Sequence, residues 1–195
     1  NQLEKYRRKK FNTGVIKFVF VGSLINRKRV EDLIYAIYEI NKLKVFDCKL
    51  DILGNGDKYD EIQELIKSLN IQRQIKLLGN IETPYKFISN SDVFVLPSTS
   101  EGISRASLEA LYLGIPCVLR KIDGNAELIS KHNGRLFEKN EDLIKSMIEI
   151  AKISRNNDLF SKSLLPSGNK QKNASKKQLE LFEKLNHSNK NQNYG

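Results

Sequence analysis

The chain of 195 residues has no tryptophan, a single methionine, four prolines and only two cysteines. No stretch approaches the roughly 18 to 20 consecutive apolar residues that would span a bilayer. The basic opening, Asn1 to Lys10, is not followed by the long apolar core of a secretory signal. The two cysteines, Cys48 and Cys117, lie inside apolar runs with no metal-ligand spacing. That excludes a zinc site or a disulfide framework and predicts buried free thiols in a reducing, cytoplasmic compartment. His132 and His187 have no partners at nucleophile-base or metal spacing, and no Asp-x-Asp cation motif occurs, so no metal is expected. Because the first residue is Asn rather than Met, the sequence is expected to be a fragment.

Charge of one sign is in excess. Lys and Arg number 33 against 23 Asp and Glu, a formal net charge of +10. Lys5, Arg7, Arg8, Lys9 and Lys10 form one cluster; Lys170, Lys172, Lys176 and Lys177 form another. Both lie outside the patterned region and read first as solvated ends. Attraction to anionic lipid or an acidic partner is the other reading. No aromatic residues interleave a basic stripe, so a nucleic-acid partner is not expected.

The middle of the chain alternates short apolar runs with helical periodicity. Lys17 to Gly22, Lys49 to Leu53, Ile75 to Leu78, Val93 to Leu96, Pro116 to Leu119 and Arg135 to Phe137 read as six strands. Helical patterns follow in between. Val30, Leu33, Ile34, Ile37 and Tyr38 share one face, as do Ile62, Leu65, Ile66 and Leu69. Thr83-Pro84 opens a brief helix, and Ser104 to Leu113 forms another that Gly114 ends. Asn125 to Ser130 is a short helix, and Glu141 to Ile153 a last amphipathic one.

This order predicts an α/β fold, a doubly wound, Rossmann-like parallel sheet of six strands covered on both faces. Ligands of such sheets bind beyond the carboxyl ends of the strands, so the loops after Val21, Leu53, Leu78 and Leu96 matter. The expected organisation is a basic segment over 1–14, the Rossmann-like domain over 15–155, and a polar, poorly ordered tail over 156–195. Gln178 to Leu185 has short-helix character with nothing obvious to receive it.

The segment Ser98 to Gly114, STSEGISRASLEALYLG, holds the densest chemistry. Glu101 lies in a loop and Glu109 inside the helix that follows. Gly102 permits close backbone approach, and the amides of Ile103 and Ser104 would point out of a helix N-terminus, a ready anion site. Each carboxylate accepts hydrogen bonds from two adjacent hydroxyls, which suits sugar recognition. Taken singly, either acid reads as a helix-terminus residue stabilising the macrodipole. Gly54-Asn55-Gly56 reads as a tight turn beside the cleft, because Tyr59 stands where a dinucleotide fingerprint needs its third glycine.

SEGISRASLEALYLGIPCVLRKIDGNAELI resembles the Glu-x7-Glu region of glycosyltransferase family 4, a retaining family with the two-domain GT-B fold. FVFVGSLINRKRVEDLIYAI and LDILGNGDKYDEIQELI are similar to that family's first two units, and the likeness covers roughly 17–147. The resemblance implies the C-terminal half of the GT-B fold, binding a nucleoside-diphosphate sugar, a UDP-sugar above others, with no metal or other cofactor. It implies that Glu101 is the catalytic group on the transferred sugar and that Glu109 holds the ribose. The backbone at Gly102, Ile103 and Ser104 would contact the sugar or phosphates, Lys28 would bind phosphate, and Gly22 would give the diphosphate close approach.

Ser23 departs from the resemblance, since the family places an Arg there; Arg27 and Arg29 are the nearby candidates to supply that charge. Arg105 reads either as a phosphate or sugar contact or as an exposed helix residue. Asp123-Gly124-Asn125 is either part of the same cleft or a plain turn. The acceptor, with the usual histidine, belongs to an N-terminal domain absent from this chain, which by itself should transfer sugar poorly. The family likeness extends to polysaccharide biosynthesis, lipid-linked acceptors and peripheral contact with the inner face of a membrane. A non-hydrolysing sugar-nucleotide epimerase of the same architecture and a non-catalytic binding module are the alternatives.

Overall fold

The computed structural model describes residues 3–7, 14–156 and 162–166. The elements alternate along the chain: β1 (Ile16–Val21), α1 (Val30–Lys42), β2 (Cys48–Leu53), α2 (Tyr59–Ser68), β3 (Ile75–Leu77) and α3 (Tyr85–Ser89). They continue as β4 (Val93–Leu96), α4 (Arg105–Tyr112), β5 (Cys117–Arg120), α5 (Asp123–Leu128), β6 (Gly134–Phe137) and α6 (Asn140–Asn156). Every strand and helix expected between Lys17 and Ile153 is present, with ends displaced by a few residues at most. The strands form one parallel sheet in the order β3-β2-β1-β4-β5-β6. The order reverses between β1 and β4, so the crevice beyond their carboxyl ends is where a ligand belongs.

The register assigns each side chain to a face. Asn41 of α1 donates to Cys48 Sγ at 3.2 Å, so Cys48, Leu50 and Ile52 point at α1. Through their Cα pairing, Ile16, Phe18 and Phe20 share that face. α1 and α6 pack on it, burying Leu33, Ile34, Ile37, Leu143, Met147 and Ile150. Removing one such side chain from water contributes about 1.5–3 kcal/mol, and this layer is the larger part of the core.

α3 and α4 lie on the second face. Helices flank the sheet on both sides, as expected, but among the described residues none covers this face over β2 and β3. Over β2 and β3 this face carries Lys49, Asp51 and Lys76, with Lys49 and Lys76 exposed. Parallel strands are ordinarily sheltered on both faces, so this wing is unusual.

The basic N-terminal segment is more than a solvated end over residues 3–7. Leu3 is buried, the Tyr6 ring lies 5.9 Å from that of Tyr85 on α3, and the Arg7 guanidinium stands 5.0 Å from the Tyr112 ring of α4. Near the other end, Leu164 N donates to Leu111 O at 2.8 Å, which ties 162–166 to the end of α4. The helix expected over Gln178 to Leu185 lies outside the described residues. Cys48 and Cys117 are free and buried, and burial pushes the Cys48 thiol up to about 12. Among the described residues no helix is long and apolar enough to cross a membrane.

Candidate functional site

A cleft of about 530 Å³ opens at the carboxyl ends of β1 and β4. One wall is the stretch after β1, with Gly22, Ser23, Arg27 and Lys28. The opposite wall is the loop after β4 and the first turns of α4, with Glu101, Ile103, Ser104, Arg105 and Glu109. Ile81, Glu82, Pro84 and Tyr85, between β3 and α3, close the side.

The two main walls are tied together through backbone. Arg27 and Lys28 sit in a short 3-10 turn, Asn26–Lys28. Arg27 O accepts from Thr99 N at 2.8 Å and from Ser98 Oγ at 3.0 Å, while Arg27 Nη1 donates to Ser100 O at 2.8 Å. Arg120 Nε donates to Pro97 O at 2.9 Å, anchoring the start of the same loop. The β1 side is propped by the Gly54–Gly56 turn, where Leu24 N donates to Asn55 O at 2.9 Å. A Cβ built on Gly54 would lie 1.9 Å from Gly22 O, so this turn abuts the cleft floor only because it has no side chain.

Within this frame the charged groups meet. Lys28 Nζ donates to Glu101 Oε1, and Arg27 Nη1 lies 3.5 Å from the same oxygen. Both partners of the Lys28–Glu101 pair are largely buried, each side chain 10 % exposed. Two cations thus converge on one carboxylate in the cleft.

Glu109 is 5 % exposed and accepts on Oε1 from Arg105 Nε at 3.0 Å and from Tyr85 Oη at 3.5 Å. Oε2 has no protein donor among the described residues and is available to a ligand hydroxyl. Burial pushes the Glu109 carboxyl above its ordinary range, with the Arg105 and Tyr85 bonds pulling it part of the way back. The Tyr85 hydroxyl is raised in turn, by burial and by the Glu109 charge.

Ser104 caps α4, its side chain accepting from Ser107 N at 3.3 Å. Among the described residues no backbone acceptor takes the Ile103 or Ser104 N–H, which leaves both free for an anion.

Eight of the nine residues expected to bind, Gly22, Ser23, Lys28, Glu101, Ile103, Ser104, Arg105 and Glu109, line this one cleft; the ninth, Gly102, joins Glu101 to Ile103 but is not part of the lining. Arg29 does not join them. Its backbone is left-handed (φ 51°), and its guanidinium turns to Asp32, at 2.8 and 3.1 Å. Arg27 is therefore the nearby arginine that reaches the cleft. A Cβ on Gly102 would meet no protein atom within 4 Å, so the backbone there stands open. Gly124, in the first turn of α5, packs against it from the protein side, where a Cβ would lie 1.9 Å from Gly102 O. Asp123-Gly124-Asn125 is thus helical and packs behind the Glu101 loop.

Tyr85, Ile81 and Glu82 escaped the sequence reading. The loop after β3 pointed to their region, but no charge or glycine pattern marked them individually. Among the described residues no three His, Cys, Asp or Glu side chains cluster as metal ligands.

The sheet order, with a cleft at its switch point lined by paired acids and cations, defines the Rossmann-like half of a GT-B glycosyltransferase. The chain belongs to the family described as Glycosyl transferases group 1, whose profile matches residues 1–163. An uncharacterised glycosyltransferase of Methanocaldococcus jannaschii is 36 % identical over 60 % of this chain and 28 % of its own length. The N-acetyl-alpha-D-glucosaminyl L-malate synthase of Bacillus anthracis is 31 % identical over 57 % of this chain and 29 % of that enzyme. An Escherichia coli UDP-Gal:alpha-D-GlcNAc-diphosphoundecaprenol alpha-1,3-galactosyltransferase is 33 % identical over 54 % of this chain and 28 % of that enzyme.

The chain spans less than half the length of these curated relatives. Among solved structures, TarM superposes with a TM-score of 0.71 at 21 % identity, covering 93 % of this chain and 36 % of TarM. Anabaena HepE, in complex with UDP, superposes with a TM-score of 0.64 at 19 % identity, covering 90 % of this chain and 48 % of HepE. At such identities the likeness is one of fold.

Proposed function

We propose that this domain binds the nucleoside-diphosphate sugar donor of a retaining, family 4-type glycosyltransferase, a UDP-sugar above others. The observation that carries the reading is the meeting of Lys28 and Arg27 with Glu101 and Glu109 in one cleft at the sheet's switch point. In this reading Glu109 Oε2 accepts from a ribose hydroxyl, held at the right place by Arg105 and Tyr85. The diphosphate lies on Lys28, Arg27 and the free amides of Ile103 and Ser104, with Gly22 and Ser23 allowing close approach. Glu101 binds hydroxyls of the transferred hexose or N-acetylhexosamine.

The shared carboxylate suggests an order of events. Glu101 balances the charge of Lys28 and Arg27, and a diphosphate competes with it for both. The diphosphate carries more negative charge than one carboxylate and takes over both cations. Glu101 is then released to turn to the sugar. As the bond from the anomeric carbon to phosphate oxygen breaks, its electron pair passes to the leaving diphosphate, and the same cations stabilise the charge that develops. The acceptor oxygen bonds to the carbon on the face the phosphate leaves, and its proton goes to the departing phosphate.

Acceptor recognition is assigned to sequence outside this chain, because the chain spans under half of its relatives. A glycan or lipid-linked acceptor fits the diphosphoundecaprenol-linked substrate named for the E. coli relative. A thermal-shift panel of UDP-, GDP- and ADP-sugars on wild type, Lys28→Ala and Glu109→Ala tests the assignment. One nucleotide should raise the wild-type melting temperature and lose its effect in both variants. Equal shifts in all three proteins would place the pocket elsewhere.

A further inference from the structure

The end of the sheet opposite the cleft carries a second set of unexplained features. The connection from α1 into β2 exposes Leu43 (61 %) and Val45 (39 %), two of the three large apolar side chains exposed among the described residues. Lys42 and Lys44 flank them. Next to this tip, at the amino ends of β1, β2 and β3, stand Lys17, Lys49, Arg73 and Lys76, around a hollow of about 140 Å³. Lys44, Lys49, Arg73 and Lys76 are exposed, and none of them, nor Lys17, makes an ion pair among the described residues. Asp51 lies among the strand lysines and Asp47 beside the tip, each offsetting one charge. The surface remains strongly cationic, and it is the part of the sheet that no described helix covers.

From this arrangement we infer that the amino-terminal edge of the sheet is a docking surface for an anionic lipid bilayer. Leu43 and Val45 would enter the headgroup boundary while the surrounding cations meet lipid phosphates. Apolar tips ringed by Lys and Arg are the chemistry of an interfacial contact. Each basic side chain near an anionic surface strengthens binding substantially, and the attraction is screened by salt.

A protein partner fits less well. Protein interfaces are depleted in lysine, and their strongest contacts come from aromatic and arginine anchors. This surface has five lysines to one arginine and no exposed aromatic side chain. Topology keeps the roles apart: a bilayer against the amino ends of the strands leaves the cleft at their carboxyl ends open. The inference is independent of the ligand proposed for that cleft.

Co-sedimentation of the full chain with vesicles of phosphatidylcholine, with and without phosphatidylglycerol, tests it. Wild type should bind the phosphatidylglycerol vesicles selectively, and less in high salt. Replacing Lys49, Arg73 and Lys76 with Gln together should weaken this binding on the order of a hundredfold. Leu43→Ser with Val45→Ser should weaken it by about tenfold. All five positions are exposed, and the melting temperature of each variant checks that it folds. A control with Lys121, Lys139 and Lys145 changed to Gln removes the same charge from the exposed surface around the carboxyl ends of β5 and β6 and should bind nearly as wild type. Equal affinity for both vesicle types, an unchanged affinity in the triple variant, or an equal loss in the control would each overturn the proposal. Binding to a protein but not to vesicles would assign the surface to that partner instead.

Discussion

Lys28 and Glu101 form a largely buried ion pair across the cleft, between residues 73 positions apart in the chain. In the proposed function these are the phosphate-binding and sugar-binding groups, and here each is the other's partner. If a diphosphate must displace Glu101 from Lys28, removing the carboxylate's charge should help the nucleotide and harm the reaction. For Glu101→Gln we expect UDP to bind about three- to tenfold more tightly by calorimetry. Sugar transfer by the complete enzyme should fall by about two to three orders of magnitude. Unchanged or weaker UDP binding would show that the pair does not compete with phosphate.

The two arginines that flank Lys28 should behave differently. Arg27→Ala removes a cation that reaches the cleft and should weaken UDP binding by about 1.5–3 kcal/mol, the usual range for a charged hydrogen bond. Arg29→Ala should leave UDP affinity alone, because Arg29 is committed to Asp32. Its pair is half exposed, so its loss should cost less than about 1 kcal/mol of stability. Parallel titrations with UDP and with urea separate the two effects.

That difference also marks what the sequence could reveal. The strands were legible because each is a short apolar run bounded by Gly, Pro or a polar turn, and Glu101, Glu109 and Lys28 because a motif surrounds them. The choice between Arg27 and Arg29 was not legible. It depends on the left-handed backbone at Arg29, which sends neighbouring side chains to opposite destinations. The 3-10 turn that carries Arg27 has no apolar period; it is held by Ser98 and Thr99, some seventy residues away. Tyr85 was missed for the same kind of reason, since its link to Glu109 spans 24 positions and two helices. Non-local hydrogen bonds, unlike hydrophobic periodicity, leave no local trace.

Asp32 and Arg120 form a second buried pair, at 3.0 Å, behind the cleft. Arg120 also holds Pro97 O and Glu138 O, each at 2.9 Å. Asp32→Ala would leave the buried Arg120 charge uncompensated and should cost about 3 kcal/mol in urea unfolding. Because Pro97 begins the Glu101 loop, Arg120→Met should reduce sugar transfer more than UDP binding. Equal losses in both would mean that Arg120 serves stability alone.

Glu109 should show a trade between stability and binding. Burial raises its carboxyl pKa in the folded state above the ordinary value of 4.5. The folded protein therefore holds this proton more tightly than the unfolded chain does. The contribution of Glu109 to stability falls as pH rises from 4.5 through the folded pKa, and it stays low at neutral pH. Glu109→Gln should melt at a higher temperature than wild type at pH 7, with the advantage shrinking as pH falls towards 4.5. The same change should weaken nucleotide binding. Melting curves across that window check the sign, and a variant less stable than wild type at pH 7 would refute it.

Behind the catalytic loop, Gly124 should tolerate no side chain. The Cβ of Gly124→Ala would lie 1.9 Å from Gly102 O and 3.3 Å from Ile103 N. The backbone that carries Glu101 must shift to admit it. We expect a stability loss of about 1–3 kcal/mol and a fall in transfer rate larger than the fall in UDP affinity, both readable from one purified variant.

A crystal structure of the chain with UDP is the most direct measurement. The account predicts phosphate oxygens within hydrogen-bond distance of Lys28 and Arg27, a ribose hydroxyl on Glu109, and Glu101 separated from Lys28. UDP bound with the Lys28–Glu101 pair intact and Glu109 untouched would contradict it.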